Sequence, residues 1–418
     1  MIEQIKMLPI GANVRIDLKT SMRVEMVRSD LKDLFKTRNA GDYRVALREH
    51  TIDYVSLLAT LAKLGPGRVN LGVSGGLDSR VNIAAMTLSS ELRSLAKLTC
   101  QHSAPQHQKD FEVVADISEQ FGLPLNEDIP NAATRRIERV RNPLALWYLS
   151  NSGLYDFLVM PNRIVTQHPT FNIGGHGAEL VKGQYGWRSM QQIYRTIKDK
   201  AIADAFYVET EQALLDMSVE FDDPIASEWH YTGYRNAIHS GRFVTTSMVG
   251  VRPFMNRELV GLARTSSWKE TVKAGKSLTV IHDMITLMNP ELASFRYDDE
   301  RKNITTSEVE ERLTLLGGPL EPSEIYHYEI DGEADEVKNG PSNLLLALAS
   351  TRGHATSADR ESLRELSMQG AKIATSIGFE HLSKPTLEEA LAKLEDINLP
   401  LHFARGSIGK LLSFHLLD

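Results

Sequence analysis

Hydrophobic positions along the chain alternate between short β-branched runs and longer amphipathic stretches. The run from Val69 to Val73 predicts a buried strand, and the apolar face over residues 81–86 predicts a helix directly after it. Residues 97–101 predict a second strand, and the helical spacing over 110–121 predicts a second helix. A third strand is predicted over 170–174. Strands that alternate with helices favour an α/β fold with a doubly wound parallel sheet.

The segments around this alternating pattern have a different character. A β segment is predicted over residues 13–18, a helix over 44–64 and another helix over 144–160. The polar, acidic stretch 305–337 is interpreted as a loop or linker, and residues 341–418 as helical. We therefore predict three parts, which are an N-terminal β/helical segment over 1–65, a nucleotide-binding domain over 66–305 and a helical C-terminal extension over 306–418.

The most specific chemical signal lies where the first predicted strand ends. Residues 74–79 read Ser-Gly-Gly-Leu-Asp-Ser and stand between that strand and a helix. Backbone N–H groups at a helix N-terminus favour an anion, and adjacent glycines allow close approach to a phosphate. A carboxylate repels phosphate unless a divalent cation lies between them, so Asp78 indicates Mg²⁺. The alternative is a glycine-rich turn capped by serine and aspartate.

This hexapeptide resembles the SGGxDS pyrophosphate loop, or PP-loop, of the N-type ATP pyrophosphatases. It has neither the GxxxxGK[ST] pattern of a Walker A loop nor the GxGxxG pattern of a dinucleotide site. The enzymes it resembles cleave ATP between the α and β phosphates, transfer AMP to an oxygen and release pyrophosphate. The resemblance implies an α/β fold with a doubly wound parallel sheet of the adenine nucleotide α-hydrolase (PP-loop) type, a mainly helical C-terminal part, and ATP and Mg²⁺ as cofactors.

Further segments extend the resemblance to the asparagine synthetase type B family, which includes β-lactam synthetases and lasso-peptide cyclases. Residues 173–185, IGGHGAELVKGQY, resemble the family segment LSGEGxDExxGGY, and residues 251–257, VRPFMNR, resemble RVPFLDHR. The stretch from Lys276 to Lys302 resembles the family's lysine-containing helix and the LPxxL and RxK segments that follow it. The resemblance covers residues 45–305, and the chain is identified as a synthetase domain of this family that lacks the N-terminal glutaminase domain.

Departures from the family pattern concern the nitrogen source and the acceptor. Residue 2 is Ile2 where glutamine-using members have a nucleophilic cysteine, and too few residues precede the first loop for a glutaminase domain, so we expect no glutamine hydrolysis. The family's second metal-ligand position, an aspartate, is Glu179 here. The position that is Glu in asparagine synthetases and Tyr in β-lactam-forming members is His176, and Val249 stands near the position of a usual acidic residue.

The resemblance also implies roles for individual residues. Asp78 and Glu179 would hold Mg²⁺, and His176 would accept the proton of an attacking amine. Lys302 and Lys276 would neutralise negative charge that develops during the reaction. The residues implied to bind ATP or to let the activated carboxylate approach the backbone are Val73, Ser74, Gly75, Gly76, Asp78, Ser79, Gly174, Gly175 and Gly177.

Simpler interpretations stay open for several of these residues. Glu179 could be an exposed loop carboxylate, and His176 a loop histidine bonded to the backbone. Lys302 and Lys276 could each be surface lysines. Arg80, the residue after the first loop, could pair with a phosphate or a substrate carboxylate, or could be solvated.

Composition narrows the classes of function. The 418 residues are 42% hydrophobic and 24% charged, which fits a globular protein with a sizeable core. The formal net charge of −7 gives no electrostatic argument for nucleic acid or an anionic membrane, and the basic cluster over 135–141 is interpreted as a solvated helix face. The single cysteine, Cys100, excludes an intrachain disulfide and a CxxC metal site and fits a reducing compartment. With no signal peptide and no apolar run of about 18 residues, we expect a cytoplasmic location.

We therefore expect an ATP-dependent ligase that adenylates a carboxylate, releases pyrophosphate and forms an amide bond without glutamine. Its partners would be a small-molecule or peptide carboxylate and an amine or ammonia, which a separate protein could supply. We expect neither nucleic acid nor a membrane as a partner, and the sequence does not indicate the oligomeric state. The alternatives are another PP-loop ATP pyrophosphatase, either NAD/GMP-synthetase-like or tRNA-modifying, and a non-catalytic nucleotide-binding homologue.

Overall fold

The structure is a computed structural model of the 418-residue chain, in which two compact units each have a hydrophobic core of their own. The first unit contains the described parts of Met1–Ala133, Phe171–Ala237 and Val251–Asp331, and the second contains those of Thr134–Thr170, Ile238–Gly250 and Gly332–Asp418. The residues that the structure describes are 10–17, 23–27, 43–103, 105–132, 136–139, 163–167, 170–182, 188–236, 248–263, 280–331, 359–399 and 406–417.

Among the described residues, a four-stranded sheet organises the fold. The described strands are β1 (Asn13–Asp17), β2 (Arg23–Val27), β3 (Val69–Val73), β4 (Lys97–Cys100), β5 (Arg136–Arg139), β6 (Arg163–Gln167), β7 (Thr170–Ile173) and β8 (Met248–Val251). The sheet has the order β4-β3-β7-β8, and β3 pairs in parallel with β4 on one side and with β7 on the other. The strands β1 and β2 form one antiparallel pair, and β5 and β6 form another. The predicted α/β fold with a parallel sheet is confirmed.

The central strand β3 forms because its residues suit a buried position between two neighbours. Val69, Leu71 and Val73 are buried and alternate with positions on the other face. Gly72 lies on that other face, and a Cβ atom added to it would lie 3.5 Å from the carbonyl oxygen of Ile173. The strand therefore fixes the position of the loop that follows Val73.

Helices of the first unit pack around one core. Among them, the Val280–Met288 helix is buried along its whole length, which fits its nearly continuous apolar sequence. The Gln108–Phe121 helix ends at Gly122, which adopts a left-handed conformation with φ 59°. The described helices of this unit are α1 (Tyr43–Ala62), α2 (Leu77–Leu88), α3 (Ser90–Leu95), α4 (Gln108–Phe121), α5 (Met190–Thr196), α6 (Lys200–Leu215), α7 (Ala226–His230), α8 (Arg257–Leu262), α9 (Val280–Met288), α10 (Pro290–Ser294) and α11 (Thr306–Leu316).

The described part of the second unit contains three further helices, α12 (Arg360–Ser376), α13 (Glu380–Glu395) and α14 (Ser407–Ser413). They share a small apolar core, to which Leu363, Leu394 and Leu411 contribute. The helical prediction for the C-terminal region agrees with these three elements. The predicted helix over 144–160 lies outside the described residues.

Two sequence-based interpretations of local structure are wrong. Residues 305–337 are not simply a loop, because Thr305 begins α11 with a capping box that includes Glu308. Arg312 on this helix forms a buried ion pair with Asp283, so α11 belongs to the first unit and not with the C-terminal helices. The basic cluster includes the strand β5 and not a helix, because residues 136–139 pair antiparallel with β6.

No helix among the described residues combines the length and the apolar character that crossing a bilayer would require.

Candidate functional site

The first glycine loop, residues 74–79, joins the carboxyl end of β3 to the N-terminus of α2. The backbone N–H of Ser74 donates to Oγ of Ser79 at 2.8 Å, and the two serine hydroxyl oxygens lie 3.1 Å apart. Gly76 is the N-cap of α2 and offers no side chain to its first-turn N–H groups. The loop therefore gathers two hydroxyls and a helix N-terminus at one end of the sheet, as an anion site requires.

Asp78 lies in the first turn of α2 and forms an ion pair with Lys182, whose Nζ is 2.6 Å from Oδ2. The other carboxylate oxygen, Oδ1, is buried and has no hydrogen-bond partner among the described residues. Burial raises the pKa of Asp78, the ammonium of Lys182 opposes this effect, and the nearby carboxylate of Glu179 raises the pKa further. A buried carboxylate oxygen without a donor is a natural ligand for a cation.

The second glycine loop follows β7 and contacts the first. A Cβ atom added to Gly175 would lie 2.8 Å from Cβ of Asp78. This contact arises because β7 pairs with β3 in parallel, so that both loops leave the same edge of the sheet, as the sequence predicted. Glu179 stands in the Ala178–Leu180 turn and accepts a hydrogen bond from the N–H of Gly177 at 3.0 Å. The carboxylate of Glu179 is thus held within the loop and is half-buried, not fully exposed.

The Pro253–Met255 turn packs behind the second glycine loop. Gly177 has φ 92°, and a Cβ atom added to it would lie 3.1 Å from Cγ of Met255 and 3.2 Å from Cβ of Phe254. A larger residue would therefore meet both a strained backbone and a steric clash. The segment 251–257, which the resemblance singled out, contributes to the site by supporting this loop. Val249 is 40% exposed.

Lys302 lies on the other side of the first glycine loop, at the end of the Glu300–Lys302 turn. Its Nζ is 2.9 Å from Oδ1 of Asp298, and it would be 3.9 Å from a Cβ atom on Gly76. The backbone N–H of Asp298 donates to the carbonyl of Gly75 at 3.0 Å, which attaches this segment to the loop. Lys302 is therefore a half-buried residue beside the loop and not a simple surface lysine. Lys276 lies outside the described residues.

Arg80 is fully buried, so its interpretation as a solvated residue is wrong. Its guanidinium donates to the carbonyls of Phe295 at 2.7 Å and Arg296 at 2.6 Å. Its Cζ lies 3.5 Å from the ring centroid of Tyr297, in cation–π contact. Arg80 therefore holds the segment that leads to Lys302 against the start of α2, and it does not face solvent.

Two residues of the site were missed by sequence reasoning. Asp110, at the start of α4, accepts the N–H of Gly75 through Oδ1 at 2.9 Å. Lys182, which pairs with Asp78, was also missed. Its place in the second glycine-rich segment, three residues after Glu179, could have marked it as a candidate site residue. His176 is half-buried in the turn between β7 and residues 178–180, and its Cδ2 would be 4.0 Å from a Cβ atom on Gly174.

The site suits a metal ion that arrives with its own ligands. Among the described residues, no group of three or more His, Cys, Asp or Glu side chains could hold a metal ion. Mg²⁺ is commonly bound by one or two carboxylates and completes its octahedron with substrate phosphates and water. The orphaned oxygen of Asp78, with Glu179 nearby, fits that pattern.

No family model matches the chain, and no curated protein sequence matches it.

Proposed function

We propose that this protein is an ATP-dependent carbon–nitrogen ligase on a doubly wound PP-loop fold, similar to the synthetase domain of the asparagine synthetase type B family. It would adenylate a carboxylate, release pyrophosphate and transfer the acyl group to ammonia or an amine. One observation carries the proposal. Two glycine loops on neighbouring parallel strands meet at Gly175 and Asp78, where a carboxylate oxygen of Asp78 is buried and finds no hydrogen-bond partner in the part of the chain that the structure describes.

The geometry of the first loop supports binding of the phosphates that leave as pyrophosphate. The hydroxyls of Ser74 and Ser79 are already oriented by the turn, and the N-terminus of α2 favours negative charge. Lys302 is close enough to Gly76 to neutralise charge that develops on the leaving group. Mg²⁺ held by Asp78 and Glu179 would neutralise part of the phosphate charge. Catalysis would then consist mainly of positioning and charge stabilisation.

The second loop supports the transfer of the acyl group. Gly174 carries no side chain, and a Cβ atom added to it would have, among the described residues, only Cδ2 of His176 near it, at 4.0 Å, so an activated carboxylate could lie against its backbone. The attacking amine must lose a proton, and a neutral imidazole on His176 would accept it. The amine could be free ammonia, a separate molecule or a group on the carboxylate substrate itself, in which case the product is a ring.

The alternative functions make different demands on the same site. An NAD/GMP-synthetase-like or tRNA-modifying pyrophosphatase uses the first loop but does not require a second glycine loop against it. A net charge of −7 also gives no support to a tRNA substrate. A non-catalytic homologue would bind ATP and Mg²⁺ without breaking the bond between the α and β phosphates.

Pyrophosphate release from ATP tests the proposal when it is measured over a panel of carboxylates combined with ammonia or amines. We expect Mg²⁺-dependent release of equal amounts of AMP and pyrophosphate that requires a matching carboxylate, with Asp78→Asn as the background. Tight ATP binding without pyrophosphate from any combination would contradict the ligase and support the non-catalytic homologue. Release that depends on tRNA and not on a carboxylate would support the other enzyme class.

A further inference from the structure

Lys182 forms an ion pair with Asp78, the carboxylate that would bind the metal ion in the proposed function. Its Nζ lies 2.6 Å from Oδ2 of Asp78, and both side chains are largely shielded, with exposures of 22% and 30%. The backbone of Lys182 is fixed, because its N–H donates to the carbonyl of Ala178 at 3.1 Å. Its four-carbon side chain can still change conformation while this backbone stays in place.

We propose that Lys182 is the resident counter-cation of Asp78 in the nucleotide-free protein, and that it excludes a free divalent cation until a metal–nucleotide complex displaces it. The ammonium of Lys182 would then contact the phosphates. This inference rests on the proposed function, since it assigns a regulatory role to a residue of the same site. It makes binding ordered, because the metal enters together with the nucleotide and not before it.

Electrostatics favours this exchange. The carboxylate of Asp78 is partly removed from water and gains from a cation, which Lys182 supplies in the free protein. A divalent ion at the same carboxylate would lie within a few ångströms of the ammonium, and like charges at that distance repel strongly at low dielectric. Free Mg²⁺ must therefore compete with Lys182 for Asp78 and also lose bound water.

A bound nucleotide would change this balance. Its phosphates supply ligands for the metal ion and a new partner for the ammonium of Lys182. Asp78 would then exchange the ammonium for the metal ion, and both the carboxylate and the ammonium would keep an oppositely charged partner. Lys302 provides a useful contrast. It lies beside the same loop at a similar degree of burial, but it pairs with Asp298 at 2.9 Å and not with Asp78. The charge of Lys302 acts on Asp78 more weakly than that of Lys182, so its removal should change the competition at Asp78 much less than removal of Lys182.

The test measures Mn²⁺ binding to the full chain with and without α,β-methylene-ATP. The electron paramagnetic resonance signal of free Mn²⁺ reports how much of the ion is unbound. Without nucleotide, Lys182→Met should bind Mn²⁺ at least roughly tenfold more tightly than the wild type, because the competing ammonium has gone. Lys302→Met should gain much less than Lys182→Met, because the charge of Lys302 acts on Asp78 more weakly. Lys182→Met combined with Asp78→Asn should lose the gain. In the wild type the nucleotide should strengthen Mn²⁺ binding strongly, and in Lys182→Met it should strengthen it less.

The outcomes separate this inference from the proposed function. The role of Lys182 would be overturned if the wild type and Lys182→Met bound Mn²⁺ equally tightly without nucleotide. The proposed function would still stand in that case if nucleotide binding depended on Mn²⁺ and were abolished in Asp78→Asn. No nucleotide binding by the wild type would instead overturn the proposed function. Circular dichroism checks folding. If Lys182→Met does not fold, Lys182→Gln takes its place, and wild-type Mn²⁺ affinity in that variant would overturn the inference equally.

Discussion

Gly175 lies so close to Asp78 that a Cβ atom added to the glycine would be 2.8 Å from Cβ and 3.4 Å from the carbonyl carbon of the aspartate. Real Cβ atoms do not approach one another to that distance, so the two loops can touch only while residue 175 is glycine. The neighbouring Gly174 has no comparable restriction, because the nearest atom to its added Cβ is Cδ2 of His176 at 4.0 Å.

Gly175→Ala should therefore separate the loops and weaken binding of Mn²⁺ with α,β-methylene-ATP, whereas Gly174→Ala should leave that binding close to the wild type. Both variants should keep wild-type circular dichroism and a similar urea midpoint, because the change lies at a loop contact outside the core. The comparison uses one added methyl group at two adjacent positions. Equal nucleotide affinity in the two variants would mean that the loop contact is not part of the binding site.

The carboxylate of Asp78 should be essential for turnover and dispensable for folding. Asp78→Asn should abolish Mg²⁺-dependent pyrophosphate release with little change in the free energy of unfolding, since the amide keeps the shape of the carboxylate and Asp78, in the first turn of α2, is not part of the apolar core. The matched control is Asp128→Asn, which removes an exposed carboxylate whose partner is Lys97, at 2.8 Å. Wild-type pyrophosphate release by Asp78→Asn would show that this residue does not hold the ion.

The proposed proton acceptor can be tested by separating two partial reactions. His176→Ala should spare carboxylate-dependent ATP–pyrophosphate exchange and slow amide formation by roughly 10²–10⁴-fold, the usual cost of a lost general base. Amide formation is followed by product analysis with the same carboxylate. If both rates fall together, His176 supports the phosphates or the loop. If neither changes, it is a structural loop histidine.

Glutamine should not serve as the nitrogen source of the purified chain. Its single cysteine, Cys100, is buried, and burial raises the pKa of the thiol to about 11, with a further contribution from Asp110. A thiol of that kind is not a nucleophile at neutral pH. We expect no glutamate release from glutamine and unchanged ammonia-dependent activity in Cys100→Ser. Glutamate release that persists in Cys100→Ser would reveal a nucleophile of another kind.

His282 should make stability depend on pH. It is 4% exposed, and burial lowers its pKa to about 4, while the carbonyl of Lys302, 3.3 Å from Nε2, opposes the shift. Between about pH 4 and pH 6.5 the unfolded chain therefore binds a proton that the folded chain does not, so stability is lost as the pH falls through this window.

The change is measurable by urea denaturation at pH 7.5 and pH 5. Protonation of His282 should lower the free energy of unfolding of the wild type by about 2 kcal/mol between pH 7.5 and pH 5. The decrease measured for His282→Gln should be smaller than that of the wild type by this amount. The glutamine amide can still donate to the carbonyl of Lys302, which limits unrelated effects. Identical pH dependence in the two proteins would show that His282 does not titrate in this range.

Elements whose burial follows from local pattern were predictable from the sequence. The alternation in β3 and the glycine that ends α4 are local signals. The observed strand and helix agree closely with the elements that these signals predict. The helix α11 was missed because its composition is polar. Its capping box was readable, but the ion pair between Arg312 and Asp283 joins residues 29 positions apart and could not be inferred.

The site was predictable to the extent that its residues lie in contiguous loops. The contact between the two glycine loops follows from adjacent parallel strands, which is a general property of α/β sheets. Pairings between side chains of distant segments were not readable. Buried Arg80 donates to the carbonyl of Phe295, which is 215 positions away in the sequence. Lys182 donates to Asp78, which is 104 positions away. Sequence periodicity carries no information about such pairs, so both residues were misjudged or overlooked.

The pairing of β3 with β7 also constrains how the protein reaches its native state. Asn70 and Asn172, on these strands, are 102 residues apart and share a hydrogen bond at 2.6 Å. Closing so long a loop has an entropic cost, and parallel pairing over such separations forms slowly. The proposed nucleotide site therefore does not exist in a partly folded chain that has only local structure. Because a ligand that binds only the native state stabilises it by mass action, ATP would shift the chain toward completed folding, and its cellular concentration would influence how often the first unit opens.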